Sequence, residues 1–391
     1  MTSGWGPSGR AVGLVAAGAA ALVASRGFGT PALAVLGVGM IALPVLVTAL
    51  VALAAAGLDL ERTIQPPRTR AGAAVTVRVA RRGPTARLGL DRLLEVRIDP
   101  GLADVAGPGG VPEPRGDTWT LHPVRGDHRL PPPVAAIGDP FGLARRTRGA
   151  GDADGLLVLP AAPALEGVTL GARSAGHAGS RRGSDSGFGE LDRVRDYQPG
   201  DPLSRVHWAQ TAKRGRLQTK ELRAPSGSGR TVVVLLDGAV PPGPDFETAV
   251  TAAAALCRHL AGRGDPVALA ATGRVPARLA ARAGWPAMEL ALARVAGGGD
   301  RPLGLAMRAE LTAPDAPDLV IVVTAARQPA VLPAVGQGRA AGTGVAAVLV
   351  GPAAASSAEL EAAGADVAVV PGADRVAAAL SRTRMAVAGV T

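Results

Sequence analysis

The chain has 391 residues and carries 42 Lys and Arg against 32 Asp and Glu, a formal net charge of +10. Almost all of the positive charge is arginine, and it favours anionic partners such as phospholipid headgroups or acidic proteins. No aromatic-studded basic module accompanies it, so nucleic acid is not a predicted partner. Cys257 is the only cysteine, which excludes an intrachain disulfide and a cysteine-based metal cluster.

Residues 1–58 contain two long apolar stretches. The first, residues 5–25, holds a single charged residue, Arg10, and the second, residues 32–57, holds none. The second exceeds the roughly 20 residues that cross a bilayer core. A signal peptide is the alternative interpretation of the first stretch. Because the second stretch follows almost at once, we predict a transmembrane helical hairpin, with a kink at Pro44.

The flanking charges predict the orientation of this hairpin. The loop between the two stretches holds only Arg26. Six arginines follow the second stretch: Arg62, Arg68, Arg70, Arg78, Arg81 and Arg82. By the positive-inside rule, this asymmetry predicts a multi-pass protein of the cell membrane whose soluble region lies in the cytoplasm.

Residues 59–168 are predicted to form a β-rich domain. Alternating or β-branched runs at 73–79, 93–98, 119–124 and 156–159 indicate strands separated by Gly- and Pro-containing turns. The prolines at 131–133 exclude a central strand there, because proline cannot donate to the ladder. The sequence from Asp139 to Leu143 predicts a turn with a buried aromatic residue, Phe141. Residues 169–189 are rich in Gly, Ser and Arg and predict a linker.

Residues 230–391 alternate between short apolar runs and helical patterns. Continuous apolar runs at 231–236, 267–271, 319–324, 345–350 and 367–370 are typical of parallel strands that are covered on both faces. Helical spacing recurs over 246–260 and ends at Gly262 and Gly264, and further helices are predicted at 286–296, 356–363 and 374–382. The fold class is therefore α/β, with a doubly wound parallel sheet in this region.

Residues 190–229 are the most distinctive part of the chain. Asp201 and Pro202 predict the start of a helix that runs to Arg214 and stops at Gly215, and residues 217–222 are predicted to be extended. Charged side chains crowd this segment, which favours either a partner-docking surface or a structural network of salt bridges. His207 is interpreted as a hydrogen-bonded structural residue, because no carboxylate and nucleophile accompany it.

An ordered string in this segment resembles a bacterial protein family known as domain of unknown function 58 (DUF58). The matching residues are Arg195, Asp196, Tyr197, Gly200, Asp201, Arg205, His207, Trp208 and Lys213. The resemblance extends to the N-terminal hairpin, the β-rich region and the C-terminal α/β region. It implies a von Willebrand factor A-like fold for the α/β region and a protein partner of the MoxR type, an AAA+ ATPase. The biochemical role of the family is undefined.

The von Willebrand factor A fold often carries a Mg²⁺ site built on an Asp-x-Ser-x-Ser loop after the first strand. Asp237 stands at the position of the aspartate, but Ala239 and Pro241 replace the serines. We therefore predict no metal site and expect Asp237 to cap local backbone amides. A degenerate site formed by Asp237, Asp245 and Thr324 stays open as an alternative.

The chain lacks a Gly-Lys-Ser/Thr phosphate loop, a His-Glu-x-x-His motif and a Gly-x-Ser-x-Gly elbow. The sequence thus predicts no enzyme and no cofactor. Together with the family resemblance, which implies the partner, it predicts a membrane-anchored adaptor that docks a cytoplasmic ATPase in envelope-related assembly or maturation. Two alternatives remain. One is a Mg²⁺-dependent binding module of the adhesion type, and the other is an enzyme that uses Asp196, Tyr197, Asp201 and His207.

Overall fold

A computed structural model describes residues 5–87, 89, 93–149, 151–166, 169–172, 191–196, 208–222, 231–275, 277–381 and 384–387. The chain forms two compact units, Met1–Leu159 and Pro160–Thr391. We call them unit 1 and unit 2 and describe each by itself. Ala162 and Leu165, which the sequence assigned to the β-rich region, pack into a core cluster of unit 2.

Unit 1 begins with two long apolar helices. The helices of unit 1 are α1 (Gly9–Phe28), α2 (Pro31–Ala56) and the short α3 (Pro84–Arg87). The Ser8 hydroxyl caps α1 by accepting from the Ala11 amide at 3.2 Å, and Gly29 ends the helix in the left-handed conformation. Pro31 opens α2 at a position where its missing N–H costs no hydrogen bond. By length and composition, α1 and α2 are each sufficient to span a membrane.

Glycines bring α1 and α2 into backbone contact. A Cβ on Gly18 would lie 2.8 Å from the Gly37 carbonyl oxygen, and a Cβ on Gly37 would lie 2.7 Å from the Gly18 carbonyl oxygen. Both distances are too short for any side chain other than hydrogen. The two helices therefore cross where each presents a small residue, which is the usual way for membrane helices to approach closely.

The remainder of unit 1 consists of antiparallel and mixed sheets. Its strands are β1 (Trp5–Pro7), β2 (Asp59–Gln65), β3 (Arg68–Arg70), β4 (Val75–Arg82), β5 (Glu95–Asp99), β6 (Thr118–Leu121), β7 (Gly126–Leu130), β8 (Val134–Gly138), β9 (Ala144–Gly149) and β10 (Asp154–Leu159). They form three sheets in the orders β1-β9-β8-β5, β3-β10-β7 and β2-β4-β6. The last turns of α2 join their core, since Val51, Ala54 and Ala55 pack with Val77 and Trp119.

The strand predictions for this region are confirmed at 75–82, 95–99, 118–121 and 154–159, and the proline run separates β7 from β8 as expected. The prediction for the turn at Asp139 is wrong in one respect. Phe141 is 66% exposed, and Leu143 is the buried residue of the turn. The Asp139 carboxylate accepts from the amides of Phe141 and Ala144 at 2.9 and 2.6 Å, which fixes the turn and directs Phe141 outward.

Unit 2 is built on a six-stranded sheet. The strands of the whole unit are β11 (Thr169–Ala172), β12 (Leu191–Asp196), β13 (Gln218–Leu222), β14 (Val232–Leu236), β15 (Val267–Ala271), β16 (Ala277–Leu279), β17 (Leu319–Thr324), β18 (Gly344–Val350), β19 (Asp366–Val370) and β20 (Arg384–Val387). The sheet has the order β16-β15-β14-β17-β18-β19, and every neighbouring pair is parallel except β15 and β16. The prediction of a mixed α/β chain with a parallel sheet is confirmed.

Helices cover both faces of this sheet. The helices of unit 2 are α4 (Trp208–Arg214), α5 (Pro244–Gly262), α6 (Gly284–Arg294), α7 (Leu303–Leu311), α8 (Val331–Ala340), α9 (Ser357–Ala362) and α10 (Val376–Ser381). Val232, Val234 and Leu236 share one core with α5, α6 and α10. Val233 and Leu235 share the other core with α7, α8 and α9. Since successive residues of a strand point to opposite faces, a strand covered on both sides has to be apolar throughout.

One prediction for unit 2 needs correction. Residues 169–172, assigned to a linker, form β11, which pairs with β20. The extended segment predicted after Gly215 is confirmed as β13, which pairs with β12 in a separate two-stranded sheet. The helix predicted over 201–214 is observed as α4 from Trp208, and residues 201–207 lie outside the described residues. Helices α7 and α8 were not predicted.

Candidate functional site

The distinctive segment of the sequence folds in part as two paired strands, β12 and β13, with helix α4 between them in the chain. Strands β12 and β13 pair antiparallel, and the register places Arg195 opposite Thr219 and Asp196 opposite Gln218. We call β12, α4 and β13 together the signature ribbon. Because the two strands pair through backbone hydrogen bonds, the register sets the position of each residue along the ribbon independently of its side chain.

A tight turn links α4 to β13. Gly215 adopts φ 65°, and its amide donates to the Thr211 carbonyl oxygen at 2.9 Å, which ends the helix. The Thr211 hydroxyl then accepts from the Gln218 amide at 3.0 Å, where the strand begins. Lys213, Arg214 and Arg216 are all exposed around this turn. Lys213 and Arg214 lie in the last turn of α4, where the helix dipole favours positive charge.

Only some of the predicted site residues lie within the described part of the chain. Arg195 and Asp196 end β12, Trp208 is the first residue of α4, and Lys213 lies exposed near the end of that helix. The others lie outside the described residues: Tyr197, Gly200, Asp201, Arg205 and His207. The structure therefore brings Arg195, Asp196, Trp208 and Lys213 into one supersecondary motif through the pairing of β12 with β13.

A second cluster lies at the carboxyl edge of the six-stranded sheet, where Asp237 follows β14 and Thr324 ends β17. Asp237 is fully buried. Its Oδ1 accepts from the Ala239 amide at 3.0 Å, which is the backbone capping expected from the sequence. Its Oδ2 accepts from the Thr324 hydroxyl at 2.7 Å and from the Gln328 side-chain amide at 2.9 Å. The carboxylate is thus held by three neutral donors from two loops.

Glycines close the space around this cluster. A Cβ on Gly238 would lie 2.1 Å from Gly273 Cα, and a Cβ on Gly299 would lie 2.7 Å from the Gly273 carbonyl carbon. The amides of Gly298 and Gly299 donate to the carbonyl oxygens of Val240 and Gly238 at 2.8 and 2.9 Å. The backbone itself therefore fills the edge of the sheet at which α/β proteins of this kind commonly bind ligands.

The residues present do not fit the Mg²⁺ site that a von Willebrand factor A fold would imply. Hydroxyl ligands are missing at Ala239 and Pro241, and both carboxylate oxygens of Asp237 already accept hydrogen bonds. Asp245, the second candidate carboxylate, is exposed at the start of α5. In the described part of the chain, no three His, Cys, Asp or Glu side chains group closely enough to share a cation. We derive no metal chemistry from this cluster.

Two ionisable groups of unit 2 have shifted pKa values. Burial raises the pKa of the Cys257 thiol to about 12, so the thiol stays protonated and unreactive in the folded protein. The hydrogen bond to Glu310, together with its negative charge, raises the pKa of Arg278. Arg278 donates to the two carboxylate oxygens of Glu310 at 3.0 and 3.3 Å. Cys257 agrees with the small buried hydrophobe that its place on the apolar face of a helix predicts.

A set of contacts at the base of the helical hairpin in unit 1 has no counterpart in any local sequence pattern. Arg148 donates to the carbonyl oxygens of Ala55 and Ala56 at 2.5 and 2.6 Å and so satisfies the end of α2. At the start of α1, the Ser8 amide donates to Leu143 O at 3.2 Å. Strand β1 pairs with β9 immediately before that helix. Both ends of the hairpin are therefore attached to the same sheet.

No protein-family model matches this chain, and no curated protein matches it either. The resemblance to the DUF58 family therefore stays a prediction that rests on the motif residues of the signature ribbon and the segment around it.

Proposed function

We propose that this chain is a membrane-anchored, non-catalytic adaptor whose unit 2 docks an acidic surface of a cytoplasmic protein. The observation that carries the proposal is the exposed group of cations at the turn of the signature ribbon: Lys213, Arg214 and Arg216. Lys213 and Arg214 lie in α4 and Arg216 lies in the turn that follows, so the ribbon presents positive charge at one place. Charge of this kind speeds encounter with an acidic partner and selects its orientation.

The helical hairpin supports the membrane anchor. Helices α1 and α2 are apolar, long enough to span a bilayer and closely packed at Gly18 and Gly37. Strand β1 pairs with β9, which makes the residues before α1 part of the unit 1 sheet. That pairing favours a retained helix over a cleaved signal peptide. The arginines after α2 favour a cytoplasmic location for the units that follow the hairpin.

The strand order of unit 2 supports a von Willebrand factor A-like fold. A parallel sheet in which the first strand, β14, lies next to both β15 and β17, with β16 antiparallel at one edge, fits that expectation. The cluster at Asp237 supports a role without metal chemistry, because its carboxylate is engaged by protein donors. By the family resemblance, the partner is an AAA+ ATPase of the MoxR type that acts in envelope-related assembly or maturation.

Co-purification from detergent-solubilised membranes tests the proposal. Under conditions that trap ATP-bound ATPases, the full chain is expected to recover an AAA+ ATPase. The double variant Lys213→Glu/Arg214→Glu is expected to recover about tenfold less, because like charges then face each other across the interface. The matched control is Arg301→Glu/Arg308→Glu, which reverses two exposed arginines elsewhere in unit 2. Failure to recover an ATPase, or equal recovery by the three proteins, contradicts the proposal.

A further inference from the structure

A recess opens on the sheet of unit 1 close to the start of α1. The pairing places Gly138 between Glu95 and Arg145, and Ala136 opposite Arg97. Because the central strand β8 carries only small residues here, the longer side chains of β5 and β9 enclose a trough. The resulting cavity has a volume of about 360 Å³, and Ser8 and Gly142 also line it. We call it the headgroup cavity.

The headgroup cavity offers charges of both signs. The exposed side chains of Arg97 and Arg145 supply two guanidinium groups, and neither forms an ion pair among the described residues. Glu95 supplies the available carboxylate, since Asp139 already accepts from two backbone amides. Arg10 adds a third cation beside the cavity and donates to the Phe141 carbonyl oxygen at 3.3 Å. Two guanidinium groups that line one cavity suit a phosphate, and a carboxylate in the same cavity suits an ammonium group.

An apolar groove runs along the helical hairpin from the same end. It has a volume of about 700 Å³ and is lined by small and aliphatic side chains, together with Thr48. The Thr48 hydroxyl donates to the Pro44 carbonyl oxygen at 2.7 Å, so it does not require a partner in the groove. The lining extends from Ala11 to Ala19 on α1, a length of about 12 Å at 1.5 Å per residue.

The groove and the headgroup cavity meet at the cap of α1. Ser8 lines the cavity, Ala11 lines the groove, and the Ala11 amide donates to the Ser8 hydroxyl at 3.2 Å. The headgroup cavity holds charges of both signs and lies one helical turn from a long apolar groove. This arrangement matches a phospholipid, in which a charged headgroup is joined to apolar chains. The exposed apolar ring of Phe141 lies next to this junction, since the Phe141 carbonyl oxygen accepts from Arg10.

We propose that unit 1 binds one membrane phospholipid of the phosphatidylethanolamine class. Its phosphate lies between Arg97 and Arg145, its ammonium group faces Glu95, and an acyl chain occupies the groove between α1 and α2. Of the proposed function, this inference uses only the membrane anchor and is independent of the docked partner. Glu95 disfavours phosphatidylglycerol, whose headgroup has no cation to pair with a carboxylate.

Native mass spectrometry of the detergent-purified full chain, with phosphatidylethanolamine or phosphatidylglycerol added at equal concentration, tests the site. The wild-type chain is expected to retain one phosphatidylethanolamine. Arg97→Gln/Arg145→Gln is expected to retain at least about tenfold less, because the charge-assisted hydrogen bonds to the phosphate are lost. Glu95→Gln is expected to move the preference towards phosphatidylglycerol. The control, Arg78→Gln/Arg115→Gln, removes two other exposed arginines of unit 1 and is expected to bind like the wild type.

Equal retention of phosphatidylethanolamine by the wild type and by Arg97→Gln/Arg145→Gln overturns the proposal, as does an unchanged lipid preference in Glu95→Gln. Fractionation separates this failure from failure of the proposed function. If the chain sediments with membranes but retains no phospholipid, the site is wrong and the anchor stands. If the chain is soluble without detergent, the anchor itself is wrong.

Discussion

Each unit has a buried charged side chain that joins several segments, and the two units stabilise these side chains in different ways. In unit 1, the Arg62 side chain is 1% exposed and donates to Asp154 at 2.6 Å. It also donates to three backbone carbonyl oxygens, those of Pro100, Pro131 and Leu130. In unit 2, the donors to Asp237 among the described residues are all neutral groups.

This difference indicates how strongly the stability of each unit depends on its buried charge. Arg62 joins β2 to three other segments, so its loss leaves one carboxylate and several carbonyl oxygens without their donor. Asp237 joins the loops after β14 and β17, and one of its donors, the Thr324 hydroxyl, has a second acceptor in the Ala326 carbonyl oxygen at 3.0 Å. We therefore expect unit 1 to depend more strongly on its buried charge than unit 2.

Replacing the arginine is the most severe test of this comparison. Arg62→Met is expected to destabilise unit 1 by about 3–5 kcal/mol, because it breaks a buried ion pair and orphans the carbonyl oxygens. Hydrogen exchange of unit 1 peptides measures the loss. Arg78→Met, at an exposed position of β4, serves as the control and is expected to change stability by less than about 0.5 kcal/mol. Similar exchange in the two variants would show that the buried ion pair contributes little.

The carboxylate of unit 2 is expected to matter less. Asp237→Ala should destabilise unit 2 by about 2 kcal/mol, the cost of losing a hydrogen-bonded buried charge whose partners can partly rearrange. Hydrogen exchange of peptides from the loops after β14 and β17 measures it. Added Mg²⁺ is expected to leave the stability of the wild type unchanged, since a ligand stabilises only a state that binds it. A Mg²⁺-dependent gain that Asp237→Ala abolishes would instead support the metal-binding alternative.

The hairpin tests whether unit 1 also depends on close packing. Gly37→Leu is expected to destabilise the pairing of α1 and α2 by about 1–3 kcal/mol, because its Cβ would meet the backbone of Gly18. Thermal unfolding in detergent micelles measures the effect. Gly39→Leu, two residues along the same helix, is the matched control because a Cβ there meets nothing within 4 Å. Equal unfolding temperatures for the two variants would contradict the observed crossing.

At neutral pH, Cys257 is expected to have no effect on the pH dependence of stability, and the burial of its thiol matters only at high pH. The folded pKa of about 12 lies above the unfolded value, so the stabilisation is fully present below the unfolded pKa. It is lost as the pH rises from about 8.5 towards 12, at about 1.4 kcal/mol per pH unit. Cys257→Ala should lack this slope and match the wild type's pH dependence at neutral pH. Thiol labelling of the native protein at pH 8 is expected to be negligible, and rapid labelling would refute the burial.

Several elements could be predicted because the apolar pattern of their own residues matches the burial of those residues in the fold. Strands β14 and β17 are continuous apolar runs, and α5 combines apolar spacing with a glycine stop, so each was recognised from its own residues. Helix α8 was missed because it contains Pro333 and two glycines. Strand β11 was missed because its partner, β20, lies more than 200 residues further along the chain.

The candidate sites likewise contain some contacts that a local pattern predicts and others that depend on segments far apart in the chain. The capping role of Asp237 and its proximity to Thr324 could be inferred, since parallel strands end at one edge of the sheet. The contribution of Gln328 could not, because it comes from a loop. The sequence predicts Arg62 as one of the charges that orient the hairpin, yet its side chain is buried in unit 1. No local pattern marks Arg97 and Arg145, because only the pairing of β5, β8 and β9 brings them to one cavity.

Local sequence patterns specify the two apolar helices, the buried strands of the large sheet and the lack of serines directly after Asp237. These follow from composition and periodicity, which act within a few neighbouring residues. The exposure of Phe141, the burial of Arg62 and the charged cavity beside the hairpin arise only in the folded chain. Each depends on contacts between segments far apart in the chain, which a local pattern does not encode.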